Sequence, residues 1–331
     1  MKLRRRPSGP QAFLFALLLL AGCSDDASEE GAQDRVVIGL VGKSQGNAVF
    51  QAAYLGAQAA AVELGAERGL DIVIDWQTPP DEDAAAQAAA IEQLARSGAA
   101  GIAVSCSHAE TLTPAINRAV DLGTEVVCFD SDAPKSQRFA FFGTDDNSCG
   151  AQVMDELAKA MGEKGSIAIL AGNQAAPNLQ ARVAGVKAQL LKYPEMNLVE
   201  DGVFYHEEVP EVAAEVVARG QSTHPEIDGW AFVGGWPLFT AGALRWDPGS
   251  VKVVSVDALQ PQLRYLESGH VEVLLAQDCF AWGYRSVELL LDLIVDGQKP
   301  EDVRVVDALK PVRMADVDAV NAQWKSWLSE G

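Results

Sequence analysis

The 331-residue sequence has few cations, few histidines and few cysteines. Lysine and arginine number 26 against 46 aspartates and glutamates, which gives a formal net charge of −20. A surface of that sign repels the phosphate backbone of nucleic acids. The four histidines lack paired spacing and no CxxC occurs, so a zinc site is not expected. We therefore expect no nucleic-acid partner, no metal and no cofactor.

Common enzyme signatures are also missing. Gly39, Gly42 and Gly46 lack the spacing of a dinucleotide-binding loop. The segment VGKS at residues 41–44 ends like a phosphate-binding P-loop, but Val37 occupies the place of the loop's first glycine. The sequence therefore does not predict an enzyme of these classes.

The conspicuous apolar run, FLFALLLL at residues 13–20, is too short to span a bilayer comfortably. It follows the basic segment MKLRRR, and together they predict a secretion signal over residues 1–22. The segment LAGC resembles the lipobox of bacterial lipoproteins, which implies lipidation of Cys23; a plain cleavage site is the alternative. Residues 23–34 are small and acidic and predict a flexible tether. We expect a membrane-anchored lipoprotein on the periplasmic or extracellular face of the cell envelope.

From residue 35 onward, β-branched runs alternate with helical stretches. The first series contains RVVIGLVG, LDIVIDW, AGIAVS and EVVCFD, with helices predicted over residues 47–68, 83–97 and 110–122. After FFGTDDNSCG the alternation starts again with GSIAILAG, NLVEDGVFY, IDGWAFVGG, VKVVSVD and VEVLLAQD. This alternation is typical of parallel sheets covered by helices on both faces. The sequence predicts an α/β protein of two similar doubly wound lobes.

Polar and aromatic side chains follow the predicted strands, at the edge where open α/β sheets bind ligands. They are Asn47, Phe50, Ser105, Asp130, Ser131, Asp145, Asn178, Arg182, Trp236, Asp257 and Gln277. Carboxylate, amide and guanidinium groups match the paired hydroxyls of a sugar, and aromatic rings pack against its C–H face. The set predicts a binding site for a sugar or polyol.

These residues and their order resemble periplasmic sugar-binding proteins of the ribose-binding type, the type I receptors of ABC transporters. The resemblance covers about residues 35–312 and rests on GNAVFQAAYLGAQAAAVELG, VVCFDSDAP, GTDDN, NLQARVAGV, VVSVDA and AQDCFAWG. It implies two lobes joined by a three-segment hinge, with crossovers near residues 144, 278 and 307. The lobes it implies are residues 35–144 plus 278–307, and residues 145–277 plus 308–331.

The resemblance also implies roles for single residues. Asn47, Phe50 and Asp130 match ligand-binding positions of the first lobe, and Arg182, Asp257 and Gln277 match those of the second.

Four positions depart from the ribose type. Val49 stands at the place of an aromatic residue, Ser131 at that of an arginine, and Ser105 and Trp236 at places where an amide is common. We therefore expect a sugar-like ligand other than ribose.

Simpler roles remain open for several of these residues. Asn47 and Asn178 can cap the helices that they precede, Trp236 can anchor a core, and Asp145 can cap a helix or belong to the hinge. Asp132 is expected to be a turn or cap residue.

The function implied by the resemblance is that of a monomeric receptor without enzymatic activity. It would close on a monosaccharide or polyol by hinge motion and deliver it to the membrane subunits of an ABC permease. Two alternatives remain: a ligand sensor for a chemoreceptor or sensor kinase, and a sugar-processing enzyme using Asp130 and Asp257 as acid and base.

Two further expectations concern single segments. Cys149 and Cys279 each follow a predicted crossover by a few residues, which suggests a disulfide between them. The segment DAVNAQWKSWLSEG predicts an amphipathic helix packed on the second lobe.

Overall fold

The computed structural model describes residues 34–329. The predicted secretion signal, Cys23 and the tether up to residue 33 lie outside the described residues. The described chain forms two α/β lobes, each built on a six-stranded sheet. Elements are numbered below in chain order, β1–β12 and α1–α9.

The first sheet has six strands and only parallel pairings. Its strands are β1 (Asp34–Val41), β2 (Leu70–Trp76), β3 (Gly101–Val104), β4 (Glu125–Phe129), β5 (Ala140–Thr144) and β11 (Arg304–Asp307). They lie in the order β11-β5-β4-β3-β1-β2. The helices of this lobe are α1 (Ala48–Arg68), α2 (Ala84–Arg96), α3 (Ala109–Asp121) and α8 (Cys279–Ile294).

The second sheet repeats this arrangement with one antiparallel edge. Its strands are β6 (Lys164–Gly172), β7 (Glu195–Tyr205), β8 (Ile227–Phe232), β9 (Lys252–Val256), β10 (Val273–Ala276) and β12 (Lys310–Val312), in the order β12-β10-β9-β8-β6-β7. The helices are α4 (Asp146–Met161), α5 (Pro177–Leu190), α6 (Pro210–Thr223) and α7 (Gln260–Glu267), with short 3₁₀ turns at Trp236–Phe239 and Met314–Asp316. Strand β12 pairs antiparallel with β10, which the expectation of parallel sheets missed.

Three connections join the lobes, the number that the resemblance implies. They follow β5, β10 and β11, and the last has only two residues between β11 and β12. That short link carries the chain into the second sheet without a helix. There β12 becomes the edge strand beside β10 and runs antiparallel to it.

Local sequence explains most element boundaries. Asp83 accepts hydrogen bonds from the first turn of α2, and Gly69 ends α1 in the left-handed conformation. Asn178 behaves differently from the expected cap, because Pro177 is the first helical residue of α5 and Ala176 precedes it. The capping role considered for Asn178 is therefore wrong.

Each lobe contains one pair of closely packed helices that cross at glycines. In the first lobe, a Cβ on Gly56 of α1 would overlap the Phe280 carbonyl oxygen of α8, and a Cβ on Gly283 would overlap that of Ala53. In the second lobe, Gly150 of α4 and Gly185 of α5 play the same part. Only glycine allows the two backbones to approach so closely.

The C-terminal helix α9 (Val317–Ser329) contacts both lobes. The indole nitrogen of Trp324 donates to the Ala258 carbonyl of the second lobe at 3.0 Å. The Trp327 ring stacks on Phe280 of the first lobe, with centroids 5.1 Å apart. The expected packing on the second lobe is present, and the helix also contacts the first lobe.

The four cysteines of the described chain are buried free thiols. The disulfide expected between Cys149 and Cys279 is therefore wrong. The closest approach is elsewhere, between the sulfurs of Cys106 and Cys128 at 3.9 Å in the first lobe. Within residues 34–329, none of the helices combines the length and apolar character needed to span a bilayer.

Candidate functional site

The two lobes enclose a cavity of about 60 Å³ at the carboxyl ends of their strands. Eight of the eleven predicted site residues line it: Asn47, Phe50, Asp130, Asn178, Arg182, Trp236, Asp257 and Gln277. The remaining lining residues are Lys43, Val49, Glu82, Leu179, Glu208, Gly234 and Trp282. Both lobes therefore contribute polar and aromatic side chains to one cavity.

Asp130 follows strand β4 of the first lobe and is 7% exposed. Its φ of 55° lies in the left-handed region, which costs a non-glycine residue on the order of 1–2 kcal/mol. The Ser105 hydroxyl donates to one carboxylate oxygen at 2.7 Å, and the Lys43 ammonium lies 3.4 Å from the same oxygen. The carboxylate is therefore fixed from behind, while the residue lines the cavity.

Lys43 extends from the loop after β1 and is buried. Burial alone would lower the pKa of its ammonium group. Neighbouring carboxylates outweigh that effect and raise the pKa of Lys43 above its ordinary value; they belong to Asp130, Glu208 and Glu82. Lys43 therefore remains a cation inside the site.

Asp257 follows strand β9 and takes the corresponding place in the second lobe. Its φ of 74° is again left-handed. The Gln277 side-chain amide donates to its carboxylate at 2.7 Å. Burial raises the pKa of Asp257, and Arg182 and the Gln277 hydrogen bond oppose the rise. Its carboxylate therefore has a hydrogen-bond partner but no ion pair of its own within the described chain.

Arg182 lies on α5 and is 3% exposed. Its guanidinium donates to the Asp146 carboxylate at 2.9 Å, to the Val233 carbonyl at 3.1 Å and to the Gln277 carbonyl oxygen at 2.9 Å. Burial alone would lower the pKa of Arg182, but Cys149 and the carboxylates of Asp146, Asp257 and Asp130 outweigh it and the pKa is raised. The close contact of α4 with α5 brings Asp146 and Arg182 together.

Gln277 connects these groups to the hinge. Its side-chain oxygen accepts from Arg182 and also from the Thr144 hydroxyl at 3.2 Å, while its amide nitrogen donates to Asp257. Thr144 ends β5 at the first crossover. Gln277 therefore joins residues of both lobes.

Three predicted site residues do not line the cavity. Ser105 supports Asp130 from behind. Ser131 is buried, its backbone carbonyl accepts from the Cys106 amide at 3.0 Å, and its hydroxyl has no partner in residues 34–329. Asp145 is exposed and caps α4 by accepting from the Ser148 amide at 2.8 Å. The simpler role considered for Asp145, that of a helix cap, is correct. Asp145 does not line the cavity.

The aromatic residues are divided between the lobes. Phe50, Phe129 and Trp282 pack together in the first lobe, with centroids 6.3–6.4 Å apart. In the second lobe, Trp236 meets the His206 ring edge to face at 4.8 Å. Burial lowers the pKa of His206 to about 4, so this ring is neutral near pH 7.

Sequence reasoning missed four charged or aromatic cavity residues, Lys43, Glu82, Glu208 and Trp282, as well as Leu179 and Gly234. Lys43 lies in the segment VGKS, which was considered only as a P-loop, although its place directly after β1 was a usable indication. Trp282 lies within AQDCFAWG, a segment that carried the family resemblance without a role for the tryptophan. Glu82 and Glu208 lie in loops far apart in sequence, and no local pattern marks them.

The family is decided by a match along most of the chain. The model of the periplasmic binding protein domain matches residues 38–299. The chain belongs to this family. A D-ribose/D-allose-binding protein of Pseudomonas aeruginosa is 27% identical over 305 residues, which are 87% of this periplasmic binding protein and 92% of the relative.

Solved structures agree with the family. An ABC transporter solute-binding protein from Burkholderia graminis, in complex with D-arabinose, has a TM-score of 0.77 and 25% identity, and the match covers 87% of this chain and 98% of that one. A sugar-binding protein of a Bacillus halodurans sugar ABC transporter has a TM-score of 0.77 and 23% identity, with 86% and 99% covered. At that identity the second structure shows the fold alone. The chain is a binding protein rather than an enzyme.

Proposed function

We propose that this periplasmic binding protein is an extracytoplasmic solute receptor for a monosaccharide or similar polyhydroxylated molecule. The ligand binds between the two lobes, which close around it, and is delivered to an ABC permease. The observation that carries the proposal is the pair of aspartates, Asp130 and Asp257, which follow a strand in each lobe and line one cavity.

The chemistry of the cavity favours a polyhydroxylated ligand. Each sugar hydroxyl both donates and accepts, and carboxylates, amides and a guanidinium meet both needs. The indole rings of Trp236 and Trp282 and the phenyl ring of Phe50 add apolar surface for the C–H face of a ring. The printed ligands of the relatives, D-ribose or D-allose and D-arabinose, belong to the same chemical class.

Ligand entry requires the lobes to separate. A cavity of about 60 Å³ corresponds to about two waters at roughly 30 Å³ each, whereas a monosaccharide has about ten or more heavy atoms. The moving bodies are residues 35–144 plus 278–307 and residues 145–277 plus 308–331, rotating about the three connections. Closure then excludes water, and a sugar lacking one hydroxyl leaves a buried polar group unpaired.

The N-terminal sequence and the family support the cellular setting that we propose. Cys23 is lipidated after removal of residues 1–22, and the acidic tether holds the monomeric receptor away from the membrane surface. This arrangement keeps the receptor close to its permease.

A thermal-shift screen of the purified protein tests the proposal. Pentoses, hexoses, polyols and cyclitols are compared at equal concentration, since a ligand at 100 times its Kd stabilises the folded state by about 2.7 kcal/mol. We expect a subset of these compounds to raise Tm by several degrees. A screen in which no polyhydroxylated compound raises Tm would contradict the proposal.

A further inference from the structure

Two glutamates from opposite lobes mark the entrance of the cavity. Glu82 precedes α2 in the first lobe, and Glu208 follows β7 in the second. Both line the inner cavity, and both also line an outer groove of about 970 Å³ between the lobes. The groove contains three further glutamates, Glu207, Glu211 and Glu215. Glu82 and Glu208 therefore lie where the cavity adjoins the groove.

The cavity has more carboxylates than cations. Four carboxylates line it, from Glu82, Asp130, Glu208 and Asp257, against two cations, Lys43 and Arg182.

Both cations already have a carboxylate partner. Lys43 lies 3.4 Å from Asp130, and Arg182 donates to Asp146 behind the cavity at 2.9 Å. No lysine or arginine in residues 34–329 lies within ion-pair distance of Glu82, Glu208 or Asp257. Three carboxylates of the site therefore lack a direct ion-pair partner in this part of the chain, although Lys43 and Arg182 act on them at longer range.

An uncharged acceptor in the cavity also lacks a donor. Asn178 lines the cavity and is 7% exposed, and its side-chain oxygen has no hydrogen-bond partner among the described residues. A buried acceptor without a donor costs about 1–3 kcal/mol. The site therefore needs a ligand that brings hydrogen-bond donors as well as positive charge.

The electrostatics of the entrance agree with this need. Partial desolvation raises the pKa of Glu82, which remains solvent-exposed; Lys43 opposes the rise, and the negative charges of Glu208 and Asp130 add to it. Since Glu82 and Glu208 belong to opposite lobes, closure brings two like charges together. A ligand with a cationic group between them removes this penalty, whereas a neutral sugar does not.

We propose that the ligand is an amino sugar or aminocyclitol whose primary ammonium group lies between Glu82 and Glu208. This inference rests on the proposed function and specifies its ligand class. An ammonium supplies three donors and one positive charge. A sugar acid or sugar phosphate would add negative charge where carboxylates already exceed cations. Bare metal ions fit poorly, because within residues 34–329 no group of three or more potential ligand side chains is arranged to hold one.

Isothermal titration calorimetry with matched compounds tests the inference. The purified protein is titrated at pH 6.5 with D-glucosamine, D-galactosamine and 6-amino-6-deoxy-D-glucose, each beside its hydroxyl parent, D-glucose or D-galactose. N-acetylated forms of the two 2-amino sugars keep the nitrogen but remove its charge. We expect at least one amine to bind 10-fold or more tightly than its parent and to lose that advantage on acetylation. Equal or weaker binding of every amine would overturn the inference.

Variants locate the ammonium. Glu82→Gln and Glu208→Gln keep the size of the side chain, and each should reduce the ratio of amine affinity to parent affinity at least 5-fold. Glu200→Gln, on the exposed part of β7, is the matched control and should keep the full preference. A preference that survives in both cavity variants would overturn the assignment.

Salt dependence provides a test on the wild-type protein alone. Between 50 and 500 mM salt, affinity for the amine should fall several-fold more than affinity for the neutral parent, because salt screens the ionic contact. Parallel salt dependence of the two would count against the ammonium site. Binding of neutral sugars without preference for amines leaves the proposed function intact and removes only this inference. Absence of binding by any compound of either kind contradicts the proposed function itself.

Discussion

The two lobes carry equivalent aspartates, but the cation beside each aspartate is held differently. Asp130 and Asp257 each follow a strand with a left-handed φ, at 55° and 74°. In the first lobe the nearby cation is Lys43, on a loop, with one ionic contact at 3.4 Å. In the second it is Arg182, on a helix, bound to three acceptors at 2.9–3.1 Å.

The difference concerns rigidity. A lysine is a point charge on a flexible four-carbon stem, whereas an arginine with three directed hydrogen bonds has one fixed geometry. The second lobe therefore provides a preorganised half of the proposed site, and the first lobe provides an adjustable half. Variation in ligand shape is expected to be accommodated at Lys43 rather than at Arg182.

The largest difference in the free energy of unfolding is expected between variants that remove Arg182 and Lys43 separately. Arg182→Ala leaves the buried Asp146 carboxylate without its partner and removes a donor to Gln277, so we expect a loss of about 3–5 kcal/mol in the free energy of unfolding. Lys43→Ala should cost less, because its single contact is longer. Urea unfolding measures both, with the exposed Lys187→Ala on α5 as the control. An equal loss for Lys43 and Arg182 would contradict the proposed difference in rigidity.

The glycines at the two helix crossings allow a second comparison between the lobes, of stability and of ligand affinity. Gly185→Ala and Gly283→Ala each force a Cβ against a carbonyl oxygen of the partner helix, and each should cost about 2–3 kcal/mol of stability. Gly185 lies on the helix that carries the polar cavity residues Asn178 and Arg182, whereas Gly283 adjoins the aromatic cavity residue Trp282, so ligand affinity should fall further in Gly185→Ala. Calorimetry of folded protein separates the two effects. If Gly283→Ala weakened ligand binding as strongly as Gly185→Ala, the α4–α5 crossing would have no special role in binding.

Acid should weaken the second lobe through His206. Its folded pKa of about 4 lies below the ordinary value of 6.5, so the neutral ring contributes stability above pH 6.5 that is lost as the pH falls toward 4. Between pH 7 and pH 5 the loss is about 2 kcal/mol.

His206→Asn tests this because Asn does not titrate and can still accept from the Glu208 amide, which lies 2.9 Å from the His206 ring nitrogen. Urea unfolding at the two pH values should show a smaller acid loss for the variant than for the wild type. Identical pH dependence of the two proteins would exclude His206 as the cause.

The sequence predicted the fold well because periodicity is a local property. LDIVIDW coincides with β2, and the three helices expected in the first series differ from α1–α3 by about one residue at their ends. Strand β5, in AFFGT, and the antiparallel β12 were not predicted. Both are short edge or near-edge strands whose pairing depends on distant segments.

The site was predictable only where residues belong to recognisable segments. Asp130 and Arg182 lie in such segments and line the cavity, whereas Glu82 and Glu208 lie in loops that meet only when the lobes are assembled. Ser131, in contrast, was predicted as a site residue but does not line the cavity. It follows a cavity residue directly, but the left-handed turn at Asp130 and the hydrogen bond from the Cys106 amide place it outside the cavity.

The most direct test of the account is the affinity of Asp130→Asn and Asp257→Asn for the ligand found by screening. Isothermal titration calorimetry should show that each variant binds at least 30-fold more weakly than the wild type, a loss of about 2 kcal/mol. Asp121→Asn, at the exposed end of α3, should bind like the wild type. Wild-type affinity in either cavity variant would contradict a ligand held jointly by both lobes.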